Sequence, residues 1–381
     1  MIRFYNISKT SMLRDMCTIR NIPFDIKESY DLYEYHLYLD NEQITPEKAF
    51  EEIDWEFIKR NNKKLIITHT HIYHLSVFEE LLNYYVCKYN CKDNVWWYSF
   101  NPYEVPNKKF NIAFLDPITH VSMEHDINTI NWLKGIDVSY KKINEVEFCD
   151  LEKVDKYFIS TNRKHTASRV LSNHLLNKKD LIKYGYYSFL PYQNKNNYKT
   201  IKDSYLHDFN SHNLESYGID IEEVCLDAFK NHALDREDLN SPMLTLDSIR
   251  EFYEKSLVCL VTESLVTNSD MFLTEKTQIA LAYGRPFLLI GNKHSLKFLK
   301  KYYGFKTFES VFNESYDNCD SFVERTIKVV EELDKFCSLP FSKAKEKIEN
   351  LTDILNHNRK VYADLNSSFL LQNMLTKVME G

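Results

Sequence analysis

Short apolar runs alternate along the chain with longer segments of helical spacing. The runs at residues 65–68 and 257–261 are almost wholly apolar, which is typical of strands buried on both faces of a sheet. This pattern predicts strands at residues 2–5, 65–68, 95–100, 110–115, 157–160, 257–261 and 286–290. Helical spacing predicts helices at residues 46–60, 71–89, 124–134, 167–177, 220–231, 246–253, 275–283 and 295–302, and from residue 320 to the end.

Strands that alternate with helices indicate the α/β class, with parallel sheets covered by helices. The alternation occurs in two successive units, and a long helical segment follows them. We therefore expect two Rossmann-like domains that face a cleft, with a helical C-terminal tail.

Composition limits the class of protein. The chain has 381 residues, of which 44% are hydrophobic, and a net charge of −7, values that fit a folded globular protein and exclude a disordered one. No apolar run reaches the roughly 20 residues of a membrane span, and the first residues lack the apolar core of a signal peptide. We expect a soluble cytoplasmic protein.

Several common nucleotide-binding and catalytic motifs are absent from the sequence. With only 7 glycines, the chain contains neither GxGxxG nor GxxxxGK[ST], and GxSxG and Asp-x-Asp are also missing. The 8 cysteines form no CxxC pair, so reduced thiols are expected rather than a zinc site. Lys is favoured strongly over Arg, which gives each remaining Arg more weight as a specific residue.

The segment from 257 to 317 carries the clearest chemistry. A strand ends at Thr262-Glu263-Ser264, and a polar loop leads to a helix that opens with Thr274-Glu275-Lys276. A helix N-terminus attracts phosphate, and Lys276 in the first turn would add a full positive charge. Glu275 stands where a carboxylate can accept hydrogen bonds from a ribose diol. Such loops lie beyond the carboxyl ends of parallel strands, where ligands bind.

The pattern TES…FLTEK…AL..GRPFLLIG resembles the donor-site motif of the fucosyltransferase-like glycosyltransferases, ENS…YITEK…al…PvV.G. The continuation LKKYYGFKTFES…NESYD resembles phage- and virus-encoded glycosyltransferase-like proteins. The similarity covers about residues 155–335, and this chain has Glu263 where the family commonly has Asn.

The resemblance implies a GT-B-like fold: an acceptor-side domain at 1–154, a nucleotide-sugar domain at 155–355, and a C-terminal helix at 356–381 that returns to the first domain. It implies that Glu275 binds the donor ribose and Lys276 the diphosphate, with further donor contacts from Arg169. The remaining donor-side candidates are Arg163, Glu263, Ser264 and Thr274. Residues 160–202 are rich in Lys and Arg, whereas residues 203–255 are acidic, and a local basic region of this kind suits a diphosphate.

An inverting transfer needs a general base for the acceptor hydroxyl. The candidates at predicted strand ends are His71, with His69 beside it, and Asp116; Glu124, with its neighbours His125 and Asp126, forms a third cluster. The residues leave these as alternatives to one another. His69 and His71 lack a third ligand at a recognisable spacing, so no metal is expected.

The sequence thus predicts a metal-independent glycosyltransferase with no cofactor beyond its co-substrate, a nucleotide-diphosphate sugar. The acceptor classes left open are a glycan or saccharide, which the acidic charge favours, and a hydroxymethylated base in phage DNA. A different kind of protein, a non-catalytic nucleotide-sugar-binding or assembly protein on the same fold, is also compatible with these residues.

Overall fold

The structure is a computed structural model of the chain. It describes residues 2–6, 13–14, 23–27, 30–38, 50–51, 53–70, 75–99, 109–114, 151–162, 165–189, 209, 214–230, 251–263, 266, 271, 273–363 and 367–380. The chain divides into two compact units: residues 1–136 together with 366–381, and residues 137–365.

The first unit contains, in its described residues, a six-stranded parallel sheet in the order β2-β1-β3-β4-β5-β6. Its strands are β1 (Ile2–Asn6), β2 (Phe24–Ile26), β3 (Leu32–Tyr38), β4 (Lys64–Thr70), β5 (Val95–Ser99) and β6 (Asn111–Phe114). Leu65, Ile66 and Ile67 in β4 are fully buried, as their apolar run predicts.

Two helices of this unit are α1 (Trp55–Arg60) and α2 (Leu75–Tyr89). The indole of Trp55 stacks on Tyr85 of α2, with ring centroids 5.2 Å apart. Residues 46–49 and 52 of the helix predicted at 46–60 lie outside the described residues. Helix α1 begins at Trp55, where Asp54 accepts a hydrogen bond from the backbone N–H of Phe57 at 2.8 Å and caps the helix.

The second unit contains, among its described residues, a four-stranded parallel sheet in the order β10-β9-β7-β8. The strands are β7 (Lys156–Asn162), β8 (Gly185–Phe189), β9 (Ser256–Thr262) and β10 (Phe287–Ile290). Helix α3 (Ala167–Lys178) connects β7 to β8, and α4 (Ile221–Asp227) packs on α3. Helix α5 (Glu275–Ala282) connects β9 to β10, and all residues of these two strands are buried.

The chain after β10 is largely helical. Helix α6 (Ser295–Phe298) continues into a wider π-helical turn at Leu299–Tyr303. The later helices are α7 (Phe322–Cys337), α8 (Phe341–Glu349), α9 (Thr352–Ala363) and α10 (Ser367–Glu380). Short 3₁₀ turns lie at Lys92–Asn94, Leu151–Lys153, Ile182–Tyr184, Leu214–Tyr217 and Glu314–Asn318.

These later helices cover both sheets. Helix α7 packs against α3 and β10, α9 packs against α5, and α10 packs against β4 and β6 of the first unit. Met374, Leu375 and Val378 of α10 are buried, which fits the helical spacing of its apolar residues.

The predicted α/β class, with parallel sheets and a helical C-terminal segment, is confirmed. The sequence reading missed β2, β3 and β8. Among the described residues, no helix is both long enough and apolar enough to cross a bilayer.

Candidate functional site

The centre of the second sheet is a topological switch point. The chain moves from β7 outward to β8 in one direction, and from β9 outward to β10 in the other. Helices that follow the two central strands therefore leave the sheet on opposite sides, and ligands of open α/β sheets bind beyond the carboxyl ends of strands at such a point.

The pairing of the two central strands stops before the strands end. The β7–β9 ladder extends only to Ile159 and Cys259, whereas β7 stays paired with β8 as far as Asn162. Strand β9 likewise stays paired with β10 as far as Thr262. We call the carboxyl ends of β7 and β9, with Asn162, Thr262 and the side chain of Arg169, the β7–β9 edge.

Arg169 connects α3 to the end of β9. Its guanidinium donates to the carbonyl oxygen of Thr262 from both Nε, at 3.3 Å, and Nη2, at 3.1 Å. The side chain is 1% exposed, so burial and the two hydrogen bonds fix the position of this cation at the β7–β9 edge. The residue lies in the first turn of α3, which begins at Ala167.

Glu263, the residue after β9, fixes the start of α5. Its backbone N–H donates to the carbonyl oxygen of Ile290 at 2.9 Å. Its carboxylate is fully buried and accepts from the N–H of Thr274 at 2.9 Å, from the hydroxyl of Thr274, and from the hydroxyl of Thr277 at 2.5 Å. A carboxylate beside a helix N-terminus is stabilised by the helix dipole, so Glu263 acts as a second cap for α5.

Thr274 is the N-cap of α5, and its hydroxyl accepts from the backbone N–H of Lys276 at 3.4 Å. Glu275 is the first residue of the helix; its side chain lies outside the described part of the structure. The side chain of Lys276 is half-buried. Thr274 and Glu263 thus hold the turn that carries Glu275 and Lys276, two of the predicted donor residues.

A second buried arginine organises the neighbouring loops. Arg325 of α7 donates to the carbonyl oxygens of Gly291 at 3.0 Å, of Val266 at 3.4 Å, and of Cys319. It therefore ties the segment after β10 to the segment after β9. Sequence reasoning did not single it out, although an Arg within a Lys-rich chain was the available signal.

The helix after β10 is capped by a buried carboxylate. Asp317 accepts from the backbone N–H groups of Leu296, at 2.9 Å, and Lys297, at 3.0 Å. Burial raises the pKa of Asp317 above its usual value, although these two bonds act in the opposite direction. The preceding His294 has a left-handed backbone, with φ of 68°.

Polar contacts inside the unit set the position of α3. Asn173 donates to the carbonyl oxygen of Asp227 at 2.8 Å and accepts from the hydroxyl of Tyr187 at 2.9 Å. His174 Nδ1 lies 2.9 Å from Asp227 Oδ2. Because these side chains are buried, α3, and Arg169 with it, is fixed against α4 and β8.

The remaining predicted site residues lie outside the described residues. These are Arg163 and Ser264 on the donor side, and His71, Asp116, Glu124, His125 and Asp126 among the candidate bases. His69 belongs to β4, but its side chain is also outside the description. Their roles stay predictions.

The first unit contains a buried carboxylate that sequence reasoning missed. Glu34 of β3 is fully buried and accepts from the N–H of Leu13 and the hydroxyl of Thr68, both at 2.9 Å. Glu34 pairs with Asn6 of β1. The strand order reverses between β1 and β3, so Glu34 lies at the topological switch point of the first sheet. Across the part of the chain that is described, no three His, Cys, Asp or Glu residues are grouped so as to hold a metal ion.

No protein-family model matches the sequence, and a search of curated proteins finds no match. Among solved structures, an α1,3-fucosyltransferase crystal structure aligns with this chain at a TM-score of 0.44 and 11% sequence identity. The alignment covers 100% of this chain and 90% of that chain.

Proposed function

We propose that this protein is a glycosyltransferase that takes a sugar from a nucleotide-diphosphate donor. The observation that carries the proposal is the convergence of two cationic residues on the end of β9. Arg169 is bonded to Thr262, the last residue of the strand, and Lys276 lies in the helical turn that Glu263, the next residue, holds in place. Two cations and a helix N-terminus at one sheet edge suit a diphosphate.

The arrangement supplies the electrostatic part of a transfer reaction. When the bond between the anomeric carbon and the diphosphate breaks, negative charge develops on the departing phosphate oxygens. Cationic groups already fixed at that position stabilise this charge without reorganising. Glu263 contributes by positioning the α5 turn, because its carboxylate oxygens are engaged by Thr274 and Thr277.

The acceptor in this proposal is a hydroxyl of a glycan or saccharide. One of Asp116, His71 or Glu124 takes the proton of that hydroxyl, and the resulting oxygen attacks the anomeric carbon. No metal is assigned to the diphosphate, since Arg169 and Lys276 provide the charge that a divalent cation supplies in other transferases.

A thermal-shift screen tests the donor assignment. The ligands are GDP, UDP, CMP and their sugar conjugates, each with EDTA and with Mg²⁺ or Mn²⁺. A bound nucleotide at about 100 times its Kd stabilises a protein by about 2.7 kcal/mol. We expect stabilisation by a nucleotide diphosphate in EDTA. Stabilisation that requires the divalent ion contradicts the metal-independent clamp, and no stabilisation by any ligand contradicts the donor site.

Transfer itself is measured by mass spectrometry of saccharide acceptors incubated with the donor that gives the largest shift. Formation of a glycosylated product supports an enzyme. Donor binding without transfer to any saccharide, or to water, favours a non-catalytic nucleotide-sugar-binding protein instead.

A further inference from the structure

The β7–β9 edge contains two buried polar atoms that have no hydrogen-bond partner among the described residues. They are Oδ1 of Asn162 and Oγ1 of Thr262. The residues are 2% and 1% exposed. Buried amide and hydroxyl groups are nearly always paired, since leaving one unpaired costs free energy. Two such atoms at one sheet edge therefore need an explanation.

The strand register relates the two residues. The β7–β9 register pairs Ile159 with Cys259, and continuing it by three residues places Asn162 level with Thr262. Side chains at the same level of neighbouring parallel strands project to the same face of a sheet. The two unpartnered atoms thus belong to one small region at the point where the direct pairing of the strands has stopped.

The other polar atoms of these residues are already engaged. Asn162 Nδ2 donates to Ser160 Oγ at 3.2 Å, and Oδ1 is the remaining acceptor of the amide. The carbonyl oxygen of Thr262 accepts from Arg169. The amide nitrogen of Asn162 and the carbonyl oxygen of Thr262 are therefore engaged. Asn162 Oδ1 and Thr262 Oγ1 remain as hydrogen-bonding atoms for a ligand at the β7–β9 edge.

The chemistry of the pair selects a hydroxyl. An amide oxygen only accepts hydrogen bonds, so it repels a phosphate oxygen, whereas a threonine hydroxyl both donates and accepts. A ligand hydroxyl can donate to Asn162 Oδ1 and accept from Thr262 Oγ1 at once. We propose that Asn162 and Thr262 bind a hydroxyl group of the donor, next to the diphosphate at Arg169; this rests on the proposed function.

Asn162 and Thr262 would make binding selective for ligands that carry this hydroxyl group. A site built to hydrogen-bond a hydroxyl discriminates strongly against an analogue without it, because the protein groups are then left unpaired again. The hydroxyl can come from the ribose or from the transferred sugar, and both present the same chemistry to this edge.

The test uses Thr262→Val, which replaces the hydroxyl with a methyl group of similar size. Affinities are measured by calorimetry for GDP and UDP, for their 2′-deoxy and 3′-deoxy forms, and for GDP-mannose and UDP-glucose. We expect the variant to bind its preferred ligand roughly threefold to tenfold more weakly than wild type, as for one lost hydrogen bond. If the ribose is the source, the nucleoside diphosphates show this loss and one deoxy form binds both proteins equally. If the sugar is the source, only the nucleotide sugars show it.

Thr307→Val is the matched control. Its hydroxyl is also buried but donates to Glu314 at 2.6 Å, so the variant should melt at a lower temperature with unchanged nucleotide affinity. Thr262→Val without ligand should melt no lower than wild type, since an unpaired hydroxyl is removed. Equal affinity of wild type and Thr262→Val for every ligand overturns this inference alone. Failure of wild type to bind any of the ligands overturns the proposed function as well.

Discussion

The guanidinium of Arg169 donates two hydrogen bonds to the carbonyl oxygen of Thr262, 93 positions away in the sequence. This contact joins the first turn of α3 to the last residue of β9, beyond the point where the β7–β9 ladder ends. One buried side chain therefore closes the sheet edge and places a positive charge there.

Replacing Arg169 with Lys should affect both stability and binding. A lysine cannot reproduce the forked donor, so the buried carbonyl of Thr262 loses a partner, at a cost of about 1–3 kcal/mol in the free energy of unfolding. Nucleotide-diphosphate affinity should also fall. Urea unfolding and calorimetric titration measure the two effects.

The control for this variant is Arg285→Lys. Arg285 is also buried, and it donates to the carbonyl oxygen of Glu254 at 2.7 Å. It precedes β10, so it lies at the amino ends of the strands, away from the β7–β9 edge. Arg285→Lys should lower the free energy of unfolding without lowering the affinity for the nucleotide diphosphate. A common loss of affinity in both variants would show that Arg169 acts only through the fold.

Replacing Lys276 with Ala should weaken donor binding and leave the fold nearly unchanged. The loss of one charge-assisted contact corresponds to about 1.5–3 kcal/mol, or about a tenfold to a hundredfold loss of affinity or rate. A lysine at a helix start opposes the dipole, so its removal should not destabilise α5. Titration with the preferred nucleotide diphosphate measures the change.

Lys297→Ala provides the comparison, because Lys297 occupies the helix that follows β10. Its removal should change affinity much less. Equal affinities for wild type and Lys276→Ala would remove the principal support for the donor site.

Replacing Gly185 with Ala should destabilise the second unit. Gly185 pairs with Phe158 across β7 and β8, and an added Cβ would overlap the buried Phe158 ring. Overpacking of this kind costs about 1–3 kcal/mol. Gly218→Ala should cost about 1–2 kcal/mol for a different reason: its φ is 66°, but nothing lies within 4 Å of the added atom.

The two glycine variants are distinguished by a compensating change. Shortening the ring side chain through Phe158→Leu should partly rescue Gly185→Ala in urea unfolding but not Gly218→Ala. Absence of any rescue would show that the stability lost in Gly185→Ala comes from the backbone conformation rather than from overlap with the Phe158 ring.

The stability of the protein should depend on pH through the carboxyl group of Glu314. Burial raises the pKa of its carboxyl above the ordinary value of 4.5, despite bonds from Thr307 and from the N–H of Phe308. The folded state therefore keeps a proton that the unfolded state has released. The stabilisation from this group is complete below pH 4.5 and is lost as the pH rises through the raised pKa.

Glu314→Gln does not titrate, so its stability relative to wild type should increase between about pH 4.5 and neutral pH in urea unfolding. Glu346→Gln should show the opposite slope below about pH 4.5, because Lys343 lowers the pKa of the Glu346 carboxyl and the stabilisation is lost as the pH falls through that lowered pKa. A constant difference between wild type and Glu314→Gln from about pH 4.5 to neutral pH would contradict the raised pKa of Glu314.

The sequence by itself determined the α/β class and the location of the principal elements around the site. Strands β7, β9 and β10 and helices α3 and α5 all lie where apolar runs and helical spacing predict them. These signals are local: a strand buried on both faces must be apolar, and a helix start needs a capping oxygen.

Tertiary structure decided which strands are neighbours and what the polar residues bind. Strand β3 escaped prediction because Glu34 interrupts its apolar pattern, and partners of its carboxylate include Leu13 and Thr68, which lie 21 and 34 positions away in the sequence. The sequence marked Glu263 only as a donor-side candidate, whereas its bonds to Thr274 and Thr277, which cap α5, became visible only in the fold. The joining of Arg169 to Thr262 depends on strand order, which no local periodicity encodes, because pairing is set by contacts between segments far apart in the chain.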